Sequence, residues 1–82
     1  MPTIIREDGF EVIIYSGNEH APPHVHVFKA GDHLRVAIGD AETYPYPLGR
    51  GNTLTGKAGV VAIDLVKKHQ ATLAAAWRRI HG

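Results

Sequence analysis

Hydrophobic and polar residues alternate in two blocks along the first half of the chain, and each block predicts a β-hairpin. In the first block, β-branched residues stand on both sides of Asp8-Gly9. This dipeptide favours a two-residue type I′ turn, because both central positions of that turn take positive φ angles. The turn places Ile5 opposite Val12 in the neighbouring strand. One face of the hairpin then carries Thr3, Ile5, Phe10, Val12 and Ile14.

The second block runs from His24 to Ile38 and also alternates. We place its two-residue turn at Gly31-Asp32, because glycine favours the first position of a type II′ turn. This turn pairs Val27 with Val36. The predicted core face holds Val25, Val27, Leu34, Val36 and Ile38, and the opposite face holds His24, His26, Phe28, His33 and Arg35.

The second half of the chain changes from turn-forming residues to a helical pattern. Residues 39–56 are rich in Gly, Pro, Asn and Thr and predict a long loop, with a short strand around Thr43–Tyr46 that contains a proline and therefore lies at a sheet edge. From Lys57 to His81, apolar residues recur every three or four positions, which predicts a helix with Thr55 as its N-cap. The pattern leaves open whether this helix is continuous or broken near His69-Gln70.

These elements predict a single α+β domain over residues 1–82. It consists of a small antiparallel sheet of two β-hairpins, with four to five strands, packed by the C-terminal helix. The 82 residues include 44% hydrophobic and 21% charged residues, which excludes wholesale disorder. The absence of cysteine excludes disulfide scaffolds, Cys-zinc sites and thiol catalysis. No secretory signal and no membrane-spanning stretch is apparent, so we expect a cytoplasmic protein.

Charge is distributed unevenly along the chain, although the net charge is only +1. Residues 1–49 contain three basic and seven acidic side chains, whereas residues 50–82 contain six basic and one acidic side chain. A basic C-terminal third can attract phosphate or an acidic protein, or can simply form a solvated helix face. The candidate binding residues on this helix are Lys67, Lys68, Arg78 and Arg79.

The densest group of chemically active side chains lies in the segment from His20 to His26. Residues two apart on a strand point to the same side, so His24 and His26 project together. Two imidazoles in this arrangement can act as acid–base groups near pH 7, with Arg35 as the cation for a phosphate. We therefore assign His24, His26 and Arg35 as catalytic candidates, and His20 and His33 as binding candidates.

A metal site is the alternative interpretation of the same histidines. His24 and His26 can share a metal ion, and His20 can fold back to complete a set of three nitrogen ligands. Because the motif itself contains no acidic ligand, we assign no metal and no cofactor. The third interpretation is that the imidazoles are structural groups or contact a partner.

Three stretches together resemble a known family: Met1-Pro2-Thr3-Ile4, Tyr15 at the end of the next strand, and Glu19-His20-Ala21-Pro22-Pro23-His24-Val25-His26-Val27. The family is the small bacterial domain of unknown function numbered four-one-six-zero. The resemblance is strongest over residues 1–38 and looser over the C-terminal helix with its late Trp77. It implies a small cytoplasmic protein encoded in gene pairs that look like toxin–antitoxin modules. It carries no established catalytic residues over to this chain.

Together, the residues and the resemblance indicate one half of a two-protein, toxin–antitoxin-like module. The expected partner is a cognate small protein, with RNA and a second copy of the chain as further candidates and no membrane. The rival hypotheses are a non-catalytic protein-binding module and a small His-based metal-binding protein. Whether the chain is an enzyme is left open.

Overall fold

A computed structural model describes residues 3–17 and 19–82 of the chain, with side chains from residue 5 onward. The five strands are β1 (Thr3–Glu7), β2 (Phe10–Ile14), β3 (His24–Lys29), β4 (Asp32–Ala37) and β5 (Tyr46–Pro47). They form one antiparallel sheet in the order β1-β2-β3-β4-β5, so each strand pairs with its neighbour along the chain. Two helices follow, α1 (Gly56–Lys68) and α2 (Gln70–His81). The α+β prediction is confirmed.

The first hairpin has the predicted turn and register. Asp8 and Gly9 have φ angles of 52° and 82°, and Ile5 faces Val12. The described residues of its predicted apolar face contribute to the core: Phe10, Val12 and Ile14 are buried, and Ile5 is half-buried. Thr3 was also predicted on this face, but its side chain lies outside the described part of the structure.

The predicted turn of the second hairpin is wrong by one residue. The two turn residues are Ala30 and Gly31, with φ angles of 52° and 86°, so Val27 faces Leu34 rather than Val36. Two positive φ angles make a type I′ turn, whose twist matches that of the flanking strands. Moving the turn by one residue moves the pairing by two residues. The two faces of the hairpin are therefore unchanged.

The hydrophobic core lies between one face of the sheet and the two helices. The sheet contributes the buried side chains of Val25, Val27, Leu34, Val36 and Ile38, together with those of β2. The helices contribute Ala62, Leu65, Val66, Leu73 and Ala76. Trp77 and Ile80 pack against this core while staying half-buried.

The predicted C-terminal helix is broken at His69, whose φ of −104° and ψ of 16° separate α1 from α2. Thr55 occupies the N-cap position, but its side chain makes no capping hydrogen bond. Val61 adjoins the buried Ala62 in α1, yet it is 47% exposed. Each helical residue turns by about 100°, which moves Val61 off the stripe that Ala62 defines.

The short edge strand is present, but at Tyr46–Pro47 rather than around Thr43–Tyr46.

Candidate functional site

The segment before β3 fixes the orientation of His24. His24 Nδ1 lies 2.9 Å from the carbonyl oxygen of Pro22, and a carbonyl oxygen only accepts hydrogen bonds. Nδ1 must therefore carry the proton and donate it. In the neutral ring this leaves Nε2 with a free lone pair. His24 is only 5% exposed, and its Nε2 has no hydrogen-bond partner in the described part of the chain.

Glu19 brings a carboxylate to the two imidazoles. Its Oε1 lies 2.7 Å from His26 Nε2, which is a short hydrogen bond, and 3.5 Å from His24 Nε2. The second pair of atoms is too far apart and too poorly aligned to form a hydrogen bond, so Glu19 and His24 have only an electrostatic contact. The side chains of Glu19 and His26 are 20% and 22% exposed. The cluster is therefore largely shielded, but solvent reaches part of it.

The environment shifts the pKa of Glu19 downward. Burial by itself would raise the pKa of this carboxyl, because it disfavours the charged form. The hydrogen bond from His26 and the positive charges that His26 and His24 can carry act together in the opposite direction and outweigh burial. Glu19 is therefore an anion near neutral pH.

Arg35 reaches the same region from the neighbouring strand. It lies directly opposite His26 in the β3–β4 pairing, and its backbone N–H donates to Asn52 Oδ1 at 3.0 Å. Its guanidinium lies against Gly49, where an added Cβ would come within 3.3 Å of it. Gly49 also has a φ of +72°, so both its conformation and its lack of a side chain suit this close approach.

A cavity of about 200 Å³ joins these groups. Its lining includes Glu19, His20, His24 and Arg35, together with Leu48 from the loop before α1. The lining of one small cleft therefore includes a glutamate, a histidine whose Nε2 is buried and without a partner among the described residues, and an arginine. Such a combination can bind an anion at Arg35 and exchange a proton or a cation at the imidazole and carboxylate groups.

Aromatic rings hold the two imidazoles in place. Tyr15 packs edge-on against His26, with ring centroids 4.8 Å apart, and Trp77 of α2 lies 5.2 Å from His24. His81 packs on Trp77 at 4.1 Å and its Nε2 donates to the carbonyl oxygen of Tyr15. Helix α2 therefore supports the cluster from the end of the sheet, and Trp77 connects it to the core.

Of the predicted site residues, the structure brings together His24, His26 and Arg35. His20 is exposed and lines the cavity, but Glu19 rather than His20 provides the third converging group. His33 lies farther along the hairpin and faces Phe28, with ring centroids 6.3 Å apart. Sequence reasoning missed Glu19, although an acidic residue immediately before the histidine motif was the available signal.

The four basic residues of the helices lie outside this cluster. Lys68, Arg78 and Arg79 are exposed, whereas Lys67 is half-buried and donates to Gln70 Oε1 at 3.0 Å. Lys68 forms an ion pair with Glu7 at 2.7 Å.

Arg78 lines a larger groove of about 680 Å³ between α2 and the end of the sheet, with Ile38, Ala74 and Trp77 among its apolar residues.

These features define a small α+β domain with an antiparallel meander sheet, two helices on one face and a Glu/His/Arg cluster at one end. The family model described as "Domain of unknown function (DUF4160)" matches residues 9–78, and the chain belongs to that family. No curated protein and no solved structure matches the chain. Within residues 3–17 and 19–82, neither helix is long and apolar enough to cross a membrane.

Proposed function

We propose that the chain is the RNA-directed member of a two-protein, toxin–antitoxin-like module of the cytoplasm. The observation that carries this proposal is the cleft that Arg35 lines together with Glu19 and His24, two members of the Glu19–His24–His26 cluster. Arg35 binds the phosphate. The cluster takes up the proton that the attacking hydroxyl group loses as its oxygen bonds to phosphorus, and it gives a proton to the oxygen whose bond to phosphorus breaks. Proton handling and charge neutralisation are the two requirements for cleaving a phosphodiester.

Electrostatic attraction supports RNA as the substrate class. Arg78 and Arg79 are exposed cations. With the half-buried Lys67, and with Lys68, whose charge Glu7 offsets, they give the helices a positive surface. Contacts between such cations and a nucleic acid release counterions, so the affinity falls steeply as the salt concentration rises. This surface attracts RNA without regard to sequence, and the cleft acts on the bound strand.

The test is expression in bacteria, with growth and RNA integrity as the two measurements. The wild-type chain should arrest growth, and its purified form should cleave RNA. Arg35→Gln and Glu19→Gln should abolish both effects, whereas Arg50→Gln and Glu42→Gln should retain them because they change exposed loop residues outside the cleft. Benign expression of the wild type, together with intact RNA, would refute the proposal.

A non-catalytic protein-binding module is the second candidate, and the groove beside α2 favours it. The groove is apolar along Ile38, Ala74 and Trp77, and Arg78 adds positive charge to its lining. An apolar segment with acidic flanks, supplied by the cognate partner, fits this combination. Titration with the purified product of the neighbouring gene should show binding that Ala74→Glu abolishes. Sedimentation of the chain alone would reveal a second copy in the groove instead.

A further inference from the structure

We infer that Glu19, His24 and His26 form a binding site for a divalent transition-metal ion, with zinc as the reference metal. Each residue offers one ligand atom, and the three atoms lie within 4.8 Å of one another. The inference goes beyond the proposed function, because a metal centre here does not require RNA to be the substrate.

The strongest observation is the unpartnered nitrogen of His24. Nε2 lies in a nearly buried side chain, faces Glu19 and has no hydrogen-bond partner among the residues that the structure describes. Buried polar atoms without a partner are rare, because burial removes their hydrogen bonds to water. The other ring nitrogen donates to the carbonyl oxygen of Pro22, which is the contact that orients a metal-binding histidine and fixes its tautomer. His24 therefore already has the protonation pattern of a ligand.

One of the three ligand distances already fits a tetrahedral site and the other two require side-chain movement, including that between the two imidazole nitrogens, for which the upper bound is 4.8 Å. Ligand bonds of about 2.0–2.1 Å place neighbouring ligand atoms about 3.3–3.5 Å apart. Glu19 Oε1 and His24 Nε2 are 3.5 Å apart, which already meets this requirement. Glu19 Oε1 and His26 Nε2, at 2.7 Å, must separate by less than about 1 Å. For His26 Nε2 to bind the metal, the proton that it donates to Glu19 must move to Nδ1 of the same ring, or be released to solvent if the ring carries two protons.

The donor set selects the class of metal. Two imidazoles with one carboxylate suit Zn²⁺, Co²⁺ and Ni²⁺, whereas Mg²⁺ and Ca²⁺ prefer ligand sets made only of oxygen. Three protein ligands leave a fourth position for water or a substrate oxygen, which is the pattern of catalytic zinc sites. Two of the three ligand residues, Glu19 and His24, line the same cavity as Arg35. An anion can therefore contact the metal and the guanidinium together.

The experiment measures metal binding to the purified chain in the absence of RNA. Isothermal titration with Zn²⁺ should give one ion per chain, and Zn²⁺ should raise the Tm because it binds only the folded state. Co²⁺ should produce the visible absorption bands of a tetrahedral site. Glu19→Gln and His26→Gln should each weaken Zn²⁺ binding by about tenfold or more.

Two matched variants control for general effects of the substitutions. Glu42→Gln changes an exposed acid, and His33→Gln changes a histidine on the same side of the hairpin outside the cluster, so both should bind Zn²⁺ as the wild type does. His24→Ala is avoided as the main test because removing a buried ring can unfold the domain. Failure of the wild type to bind Zn²⁺ saturably would overturn the inference, as would wild-type affinity in folded Glu19→Gln.

Discussion

Two clusters in this molecule join a glutamate to two basic side chains. In one cluster the basic side chains are a lysine and a histidine, and in the other they are two histidines. Glu7 accepts a hydrogen bond from Lys68 at 2.7 Å and is 3.0 Å from His69 Nε2. Glu19 has two imidazoles instead, His26 at 2.7 Å and His24 at 3.5 Å. Both carboxyls have a lowered pKa. Only the second cluster contains a buried nitrogen without a partner.

The difference separates a structural contact from a site that can bind something. Lys68 is a permanent cation near neutral pH, and the Glu7 contact raises its pKa further, so this cluster is already neutralised. It also links β1 to the break between the helices, across more than 60 residues of chain. In the Glu19 cluster, both basic partners are histidines, and an imidazole nitrogen can bind either a proton or a metal ion. That cluster can therefore exchange protons for a metal ion or a substrate.

The largest expected effect comes from disrupting the hydrophobic core that supports both clusters. Val27→Asp places a charge at a position with no solvent exposure. An unpaired buried charge costs several kcal/mol out of a total stability of roughly 5–15 kcal/mol, so the domain should unfold. Circular dichroism and a thermal melt measure this. The control Val61→Asp lies at an exposed helix position and should melt cooperatively. A cooperative melt of Val27→Asp would show that the sheet faces are reversed.

A smaller effect should distinguish the Glu7 cluster by its dependence on pH. At pH 7, Glu7→Gln should have a lower Tm than the control Glu42→Gln, because it breaks the contacts to Lys68 and His69. The pKa of Glu7 is lowered in the folded state, first by the hydrogen bond from Lys68 and then by that from His69. Its stabilising contribution is therefore present above the ordinary value of 4.5 and is lost as the pH falls through the folded value.

The measurement is a series of thermal melts between neutral and acidic pH. The wild type and Glu7→Gln should converge only as the pH falls through the lowered folded-state pKa of Glu7, because below that value the carboxyl is protonated in both the folded and unfolded states. A constant difference in Tm across the whole range would mean that Glu7 stabilises the fold through packing rather than charge. The Glu19→Gln variant should show the same convergence, since the pKa of Glu19 is lowered as well.

Local rules predicted the first hairpin fully and the second only in part. Asp8-Gly9 is a recognised type I′ turn, and the structure has that turn. Ala30 has no comparable signal, because a left-handed conformation costs a residue with a side chain roughly 1–2 kcal/mol. The twist and packing of the strands offset that cost in the folded protein, and such tertiary effects cannot be read from a dipeptide.

The same limit explains what was missed at the candidate site. The two-residue repeat of a strand predicted that His24, His26 and Arg35 share a face of the sheet. The predicted turn placed Arg35 opposite Phe28, and the observed register brings it opposite His26 instead. Glu19 lies in the loop before Pro22, where no repeat determines the direction of a side chain. Its position depends on how the loop folds back over β3. The pattern of residues supplies no information about that path.

The smallest expected effect is the response of the Glu7 cluster to salt. Lys68 is 62% exposed, so its ion pair with Glu7 is screened by dissolved ions. Lys68→Gln should lower the Tm slightly at low ionic strength and hardly at all in about 1 M NaCl, where the screening length is about 3 Å. Lys57→Gln, at an exposed position of the same helix, is the matched control. An undiminished difference at high salt would show that Lys68 acts through the packing of its aliphatic chain. The Glu19 cluster would then remain the only one of the two governed by charge.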